Sequence, residues 1–216
     1  MTTHETKPRS TLASLRDQVP QRPLTGYEVR HVLDRQATRL LRLSETFGPP
    51  VPVEAIATTL PRVVVRRVPD LPSSGRAQWN GAAWVLLVDS SEPKVRQRYS
   101  LAHELGHVIW HPLSAQVLPD TKRSPAAQRI EQACEYFAAC LLMPRIWMKR
   151  AYFDEGIQDV PSLARLFGVS WLAMRVRLEQ LGFVAEPQRE DHKRRQHEDG
   201  RALPTRLDDE PGADGL

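Results

Sequence analysis

The chain has 216 residues, room for one domain of ordinary size with tails or for two very small ones. Its 30 basic and 26 acidic side chains leave a net charge of +4, mildly basic and by itself no argument for a nucleic-acid partner. The longest apolar run, Tyr136 to Met143, stops at Pro144, far short of the ~20 residues that cross a bilayer. Two cysteines, Cys134 and Cys140, are too few for a disulfide framework or a cysteine-rich zinc module. The opening MTTHETKPRS lacks the apolar stretch of a secretory signal. With 41% hydrophobic residues, these features exclude an integral membrane helix bundle, a collagenous chain and a wholly disordered one. A soluble cytoplasmic protein is expected.

Residues 1–24 are polar, carry Pro8, Pro20 and Pro23, and read as a flexible N-terminal arm. Thr25-x-x-Glu28 is a capping-box signature ahead of Val29, Val32, Leu33, Leu40 and Leu41. It predicts a helix to about Phe47, ended by Gly48-Pro49-Pro50. A short helix is expected after Pro52, through Val53, Ile56 and Ala57. Val63-Val64-Val65 is β-branched and reads as a strand. Trp79-Asn80-Gly81-Ala82 is a strong hairpin cue, and Trp84 to Val88 reads as a buried strand. From about Pro93 the pattern is helical. Strands first and helices after, without βαβ alternation, predict an α+β fold with a small antiparallel sheet packed on helices. Residues 185–216 are charged and poor in large apolar groups, so they read as a disordered tail.

The chemistry concentrates in Ser100-Leu101-Ala102-His103-Glu104-Leu105-Gly106-His107. Residues four apart on a helix share a face, so His103 and His107 can converge on one zinc ion. Glu104, offset by one position, projects beside the metal, where it suits a general base acting on water. Leu101, Leu105, Val108 and Ile109 give this helix an apolar side, and Gly106 leaves room for close packing. A catalytic zinc site needs a third protein ligand. His111 lies about 12 Å along the axis from His103, too far to share the ion, and is expected to cap the last turn before Pro112. The next helix, opening at Ser124 with Pro125 in its first position, carries Glu131 and Glu135 on one face and is apolar nearly all round after Tyr136. Glu131 is assigned as third ligand. Glu135 is expected to accept a ring N–H of a ligand histidine, His103. Tyr99 and Tyr136 are candidate oxyanion donors. The strand at 84–88 is expected to offer an edge for an extended peptide. Cys134 and Cys140 read as core residues.

Arg98-Tyr99-Ser100-Leu101-Ala102-His103-Glu104-Leu105-Gly106-His107, a histidine at 111, Glu131 and Phe137-Ala138-Ala139-x-Leu141-Leu142-Met143-Pro144 together resemble the ImmA/IrrE metallo-endopeptidases. The resemblance runs from about residue 28 to 183 and includes residues 50–57 and Phe167-Gly168-Val169-Ser170. It departs where members commonly carry Ala-Asn and this chain has Cys134-Glu135. It implies a compact zincin-like (gluzincin-like) core over residues 25–155, Zn2+ held by His103, His107 and Glu131, and Glu104 as catalytic base. It also implies a protein substrate, a helix-turn-helix transcriptional repressor, cleaved in the cytoplasm.

Residues 156–184 supply a competing reading. Two helices joined at Gly168, with Arg175 and Arg177 on the second, resemble a DNA-binding helix-turn-helix. That would make the chain a non-catalytic DNA- or protein-binding transcriptional regulator. The favoured reading is an appendage packed on the core through Leu163, Leu166, Phe167, Met174, Leu178 and Leu181, without direct nucleic-acid binding.

Overall fold

The computed structural model describes residues 10–122 and 124–183. Residues 1–9 of the expected arm and the expected tail at 185–216 lie outside the described residues. The rest of the arm is not loose. Ser10 caps α1 (Thr11–Arg16) by accepting the Ala13 N–H, and Leu12, Leu15, Val19 and Leu24 are buried. The Arg16 guanidinium donates to the carbonyls of Val108 (2.7 Å) and Ile109 (3.1 Å), across 92 and 93 residues of sequence. The prolines that suggested a free arm flank a helix of only 6 residues, too short to show a period in the sequence.

Helix α2 (Gly26–Leu43) opens on the expected capping box: Thr25 Oγ1 accepts from Glu28 N, and the Glu28 carboxylate accepts from Thr25 N. It ends four residues short of Phe47. The Ser44 hydroxyl donates to the Leu40 carbonyl (2.8 Å), Glu45 takes a φ of 51°, and Thr46 N–H reaches back to Leu41 (2.9 Å). That reversal satisfies the last carbonyls and leaves Phe47 exposed. Buried Gln36 links three helices, donating to the Leu15 carbonyl (2.9 Å) and accepting from the Trp110 indole (2.8 Å).

After α3 (Val53–Thr59) come β1 (Val63–Val68), β2 (Gly75–Trp79) and β3 (Trp84–Asp89), in the sheet order β1-β3-β2. The Asn80-Gly81 hairpin forms: Asn80 Oδ1 accepts from Ala82 (3.0 Å) and Ala83 (2.8 Å), and Gly81 holds φ at 94°. The sheet is mixed where an antiparallel one was expected. β2 runs antiparallel to β3, but β1 runs parallel to it, because the loop after β1 carries the chain beyond the middle position and the hairpin returns to fill it. β3 is therefore central, and the edge expected at 84–88 is closed on both sides. β1 and β2 are the two edge strands, and β2 is the one that lies against the helix Lys94–Trp110.

The remaining helices are α4 (Lys94–Trp110), α5 (Ser114–Val117), α6 (Ala126–Leu142), α7 (Arg145–Lys149), α8 (Val160–Phe167) and α9 (Trp171–Leu181). Pro125 stands at the cap of α6 with extended backbone, one position before the first helical residue. α7 continues into a wider turn over Arg150–Asp154, closed by Glu155 N–H on the Arg150 carbonyl (2.9 Å). α4 and α6 form the centre of the core. Leu105, Val108 and Ile109 on one and Phe137, Ala138 and Leu141 on the other are all at 0% exposure. A Cβ at Gly106 would meet Cys134 Cα at 3.1 Å and its Cβ and Sγ at 3.2 Å, so glycine sets the closeness of this pair. Cys134 and Cys140 are free and buried, and burial pushes both thiols up, Cys140 to about 12.

The C-terminal pair turns at Gly168 (φ 63°) and buries Leu163, Phe167, Met174 and Leu178, with Leu166 and Leu181 half-buried. Arg177, counted above among groups for a DNA surface, points inward. Its Nε donates to the Met143 carbonyl (3.1 Å), its head lies over the Tyr136 ring (5.5 Å) and faces Asp34 (3.9 Å). Arg175 is engaged with Glu179 (3.0 Å). The helix-turn-helix reading thereby loses one of its two arginines to the core. Among the described residues no helix is long and apolar enough to cross a membrane.

The α2 cap is also a pH-dependent contact. The Arg22 guanidinium, then Thr25, hold the Glu28 carboxyl down at about 2 from an ordinary 4.5. A depressed carboxyl stabilises the fold above its unfolded value and loses that contribution as pH falls toward the folded one. Glu28→Gln should lower the urea midpoint at pH 7, and the difference from wild type should close between about pH 4.5 and 2.

Candidate metal centre and cleft

α4 passes α6 in the opposite sense. Tyr99 reaches Glu135 from the start of the contact, and His107 reaches Glu131 from its end. This brings three donor groups together. His103 Nε2 and His107 Nε2 are 3.1 Å apart, and they lie 3.2 and 3.4 Å from the two carboxylate oxygens of Glu131. One ligand atom from each falls within 4.8 Å of the other two. Donors around a tetrahedral ion with ~2.0–2.1 Å bonds are about 3.3 Å apart, so the triad has the spacing of a zinc site. Two nitrogens and one carboxylate also suit the ion's chemistry. Glu131 is 57% exposed and the imidazoles are half-buried, which leaves an approach from solvent. Burial and the neighbouring His107 lower the His103 pKa against the opposing pull of Glu131. His111 is not part of the triad. It caps α4, with its N–H on the His107 carbonyl (2.8 Å), and its ring packs edge-on against Trp84 at 4.9 Å.

Glu104 is 7% exposed, on the adjacent stripe of α4, against β2. Burial, opposed by a backbone hydrogen bond from Ala77 and helped by the charge of Glu131, pushes its carboxyl up to about 7. Gly75 makes room for it, since a Cβ there would meet Glu104 Cγ and Oε1 at 3.1 Å. Glu135 lies in the cleft wall, but its carboxylate makes no hydrogen bond to either imidazole among the described residues. What it provides is its backbone carbonyl, which accepts from Tyr99 Oη at 3.1 Å. Burial pushes the Tyr99 phenol up to about 12. Of the two tyrosines singled out as oxyanion donors, Tyr99 lines the cleft, while Tyr136 is turned toward Arg177.

These groups sit in a cleft of about 750 Å³ between β2, α4 and α6. Sequence reasoning missed the β2 wall, Ser73 to Ala77, and Arg96, whose guanidinium donates to Ser74 Oγ (3.2 and 3.0 Å). The hairpin cue located β2. The available signal for its role was the pair of small residues, Gly75 and Ala77, on one face. Asp89 N–H donates to the Ser74 carbonyl and Asn80 N–H to Ala83, each at 3.1 Å. Even-numbered β2 groups therefore face β3, and the backbone of Gly75, Ala77 and Trp79 faces outward.

The profile of the IrrE N-terminal-like domain, peptidase family M78, matches residues 61–179, more than half of the chain and the whole of the sheet, α4 and α6. No curated protein matches significantly. Among solved structures, a Mycobacterium tuberculosis transcriptional regulator superposes with a TM-score of 0.58 at 20% identity. The match covers 84% of this chain and 54% of that one, so this chain spans about half the length of its structural relative. At that identity the likeness concerns the fold.

Gly75→Val should force β2 away from α4 or displace the Glu104 carboxylate. The expected cost is ~1–3 kcal/mol in denaturant unfolding, whereas Gly81→Asn, at an open turn position, should cost less.

Proposed function

The chain belongs to the Peptidase M78 family of IrrE N-terminal-like domains, and from that premise we propose that it is a zinc-dependent endopeptidase. The observation that carries the reading is the convergence of His103, His107 and Glu131 at metal-ligand spacing beside the buried carboxylate of Glu104. Those three residues would hold the ion. Zinc bound there supplies Lewis-acid chemistry, making water more acidic and a carbonyl carbon more electrophilic.

The other steps belong to the protein's own groups. Glu104 takes the proton of the attacking water and returns it to the leaving amine. Its burial against β2 leaves the carboxylate poorly solvated and so a better base than a free one, which suits both transfers. Of the outward groups of β2, Ala77 N–H is held by Glu104 and the Gly75 carbonyl by the Ser73 hydroxyl; the others, the Ala77 carbonyl among them, pair with an extended substrate segment and set its height over the site. This role passes to β2 from the 84–88 strand, which has no free edge. Tyr99 Oη stands in the cleft as the donor available to the developing oxyanion once released from the Glu135 carbonyl. The family resemblance supplies the substrate class, a helix-turn-helix transcriptional repressor in the cytoplasm. Arg177, buried in the core, argues against direct DNA readout by α9.

Metal analysis and cleavage assays test the reading together. His103→Ala and Glu131→Ala should lower zinc affinity by more than about 100-fold. Glu104→Gln should keep the metal and lose cleavage by about 10²–10⁴-fold. A chelator should abolish cutting and added zinc restore it. Wild-type cleavage by Glu104→Gln, or by metal-free protein, would end the proposal.

A further inference from the structure

The cleft has two unlike ends, and the chain direction of its wall assigns them to opposite sides of a bound peptide. β2 and α4 run in the same sense. At their starts Arg96 holds Ser74, and Gly75 packs on Ser100 and Glu104. At their ends Trp79 pairs with Trp84 across the hairpin, and Trp84 lies against His111, the cap of α4. The centroids of Trp79 and Trp84 are 5.7 Å apart, and Trp79 remains 45% exposed. Ile130 of α6 joins Trp84 and His111 in lining this end of the cleft. The result is an aromatic ledge open to the cleft. A peptide added antiparallel to β2 runs from the Trp79 end toward the Ser74 end, so its residues N-terminal to the scissile bond lie over the ledge. His111 is one turn, about 6 Å along the axis, beyond His107. An extended peptide advances about 3.4 Å per residue, which places its first or second residue before the cut on the ledge.

We propose that Trp84 and His111, flanked by Trp79 and Ile130, form a specificity pocket that selects a bulky apolar side chain one or two positions N-terminal to the scissile bond. The inference rests on the peptidase reading and adds a direction and a side-chain class to it. Trp84 supplies the apolar surface, and the His111 ring, packed edge-on to the indole at 4.9 Å, forms the neighbouring wall.

The test is cleavage-site profiling of the full-length, zinc-loaded protein on a library of peptides blocked at both ends. Phe, Leu, Met and Trp should be enriched one or two positions before the cut. In matched peptides differing only there, the kcat/KM ratio of Phe over Gly should fall about tenfold in Trp84→Ala. His111 is exposed and its capping bond is made by its backbone N–H, so His111→Glu leaves that bond in place. It should shift the preference at the same position toward Lys and Arg. Thermal melting and bound zinc of each variant separate lost selectivity from lost structure. Cleavage without apolar enrichment before the bond, enrichment only after it, or unchanged selectivity in His111→Glu would overturn the pocket while leaving the peptidase reading intact. A zinc-saturated protein that cuts no peptide and no repressor would overturn both.

Discussion

The contact on which the rest depends is the crossing of α4 and α6 at Gly106 and Cys134. No side chain larger than hydrogen fits at Gly106 without moving the Cys134 backbone. That closeness brings the Glu131 oxygens of α6 to within 3.2 and 3.4 Å of the imidazoles of α4. A helix spacing larger by the width of a methyl group would still leave a packed core, but the Glu131 oxygens would fall out of reach of the imidazoles. The buried thiol beside Gly106 thus has a geometric role. It is small, apolar in its protonated form, and held in that form by burial.

Around this crossing, long-range polar contacts fix the helices in register. Arg16 ties α1 to the last turn of α4, Gln36 joins α1, α2 and α4, and Arg177 fastens α9 to the end of α6. Each is a side chain reaching backbone or an indole across 21 to 93 residues of sequence. Such contacts cost a desolvated donor if they are broken, so they favour one packing of the apolar surfaces over others.

The same distinction explains what could be read in the sequence. Local chemistry was legible: the Thr25–Glu28 box, the Asn80-Gly81 turn and the i, i+4 histidines each depend on neighbours within four residues. The pairing of Glu131 with them was legible because two acids on a buried helix demand a partner. Tertiary facts were not. The helical state of residues 11–16 depends on Leu12 and Leu15 meeting α2 and α4, and the inward turn of Arg177 depends on a carbonyl supplied by Met143. The mixed sheet order was hidden for the same reason. Nothing in Val63 to Val68 shows that its neighbour would be β3 rather than β2. Glu135 shows the limit of spacing on a helix face: the spacing placed it in the cleft wall, whereas the bond it makes there is through its backbone carbonyl to Tyr99.

The position of β2 at the rim of the sheet carries one more consequence. Side chains meet part of its outward backbone, Ser73 at the Gly75 carbonyl and Glu104 at Ala77, and the remainder can be paired in a ladder only by backbone that has surrendered its own partners. A helix or an inner strand has no such groups to give. A segment held in a helix or an inner strand is thereby invisible to the rim, however well its side chains match, until it frays open. If the proposed peptidase activity holds, the rate at which a protein holding such a segment is consumed follows its local opening equilibrium, and a signal that loosens one loop of the target governs its lifetime without touching this chain.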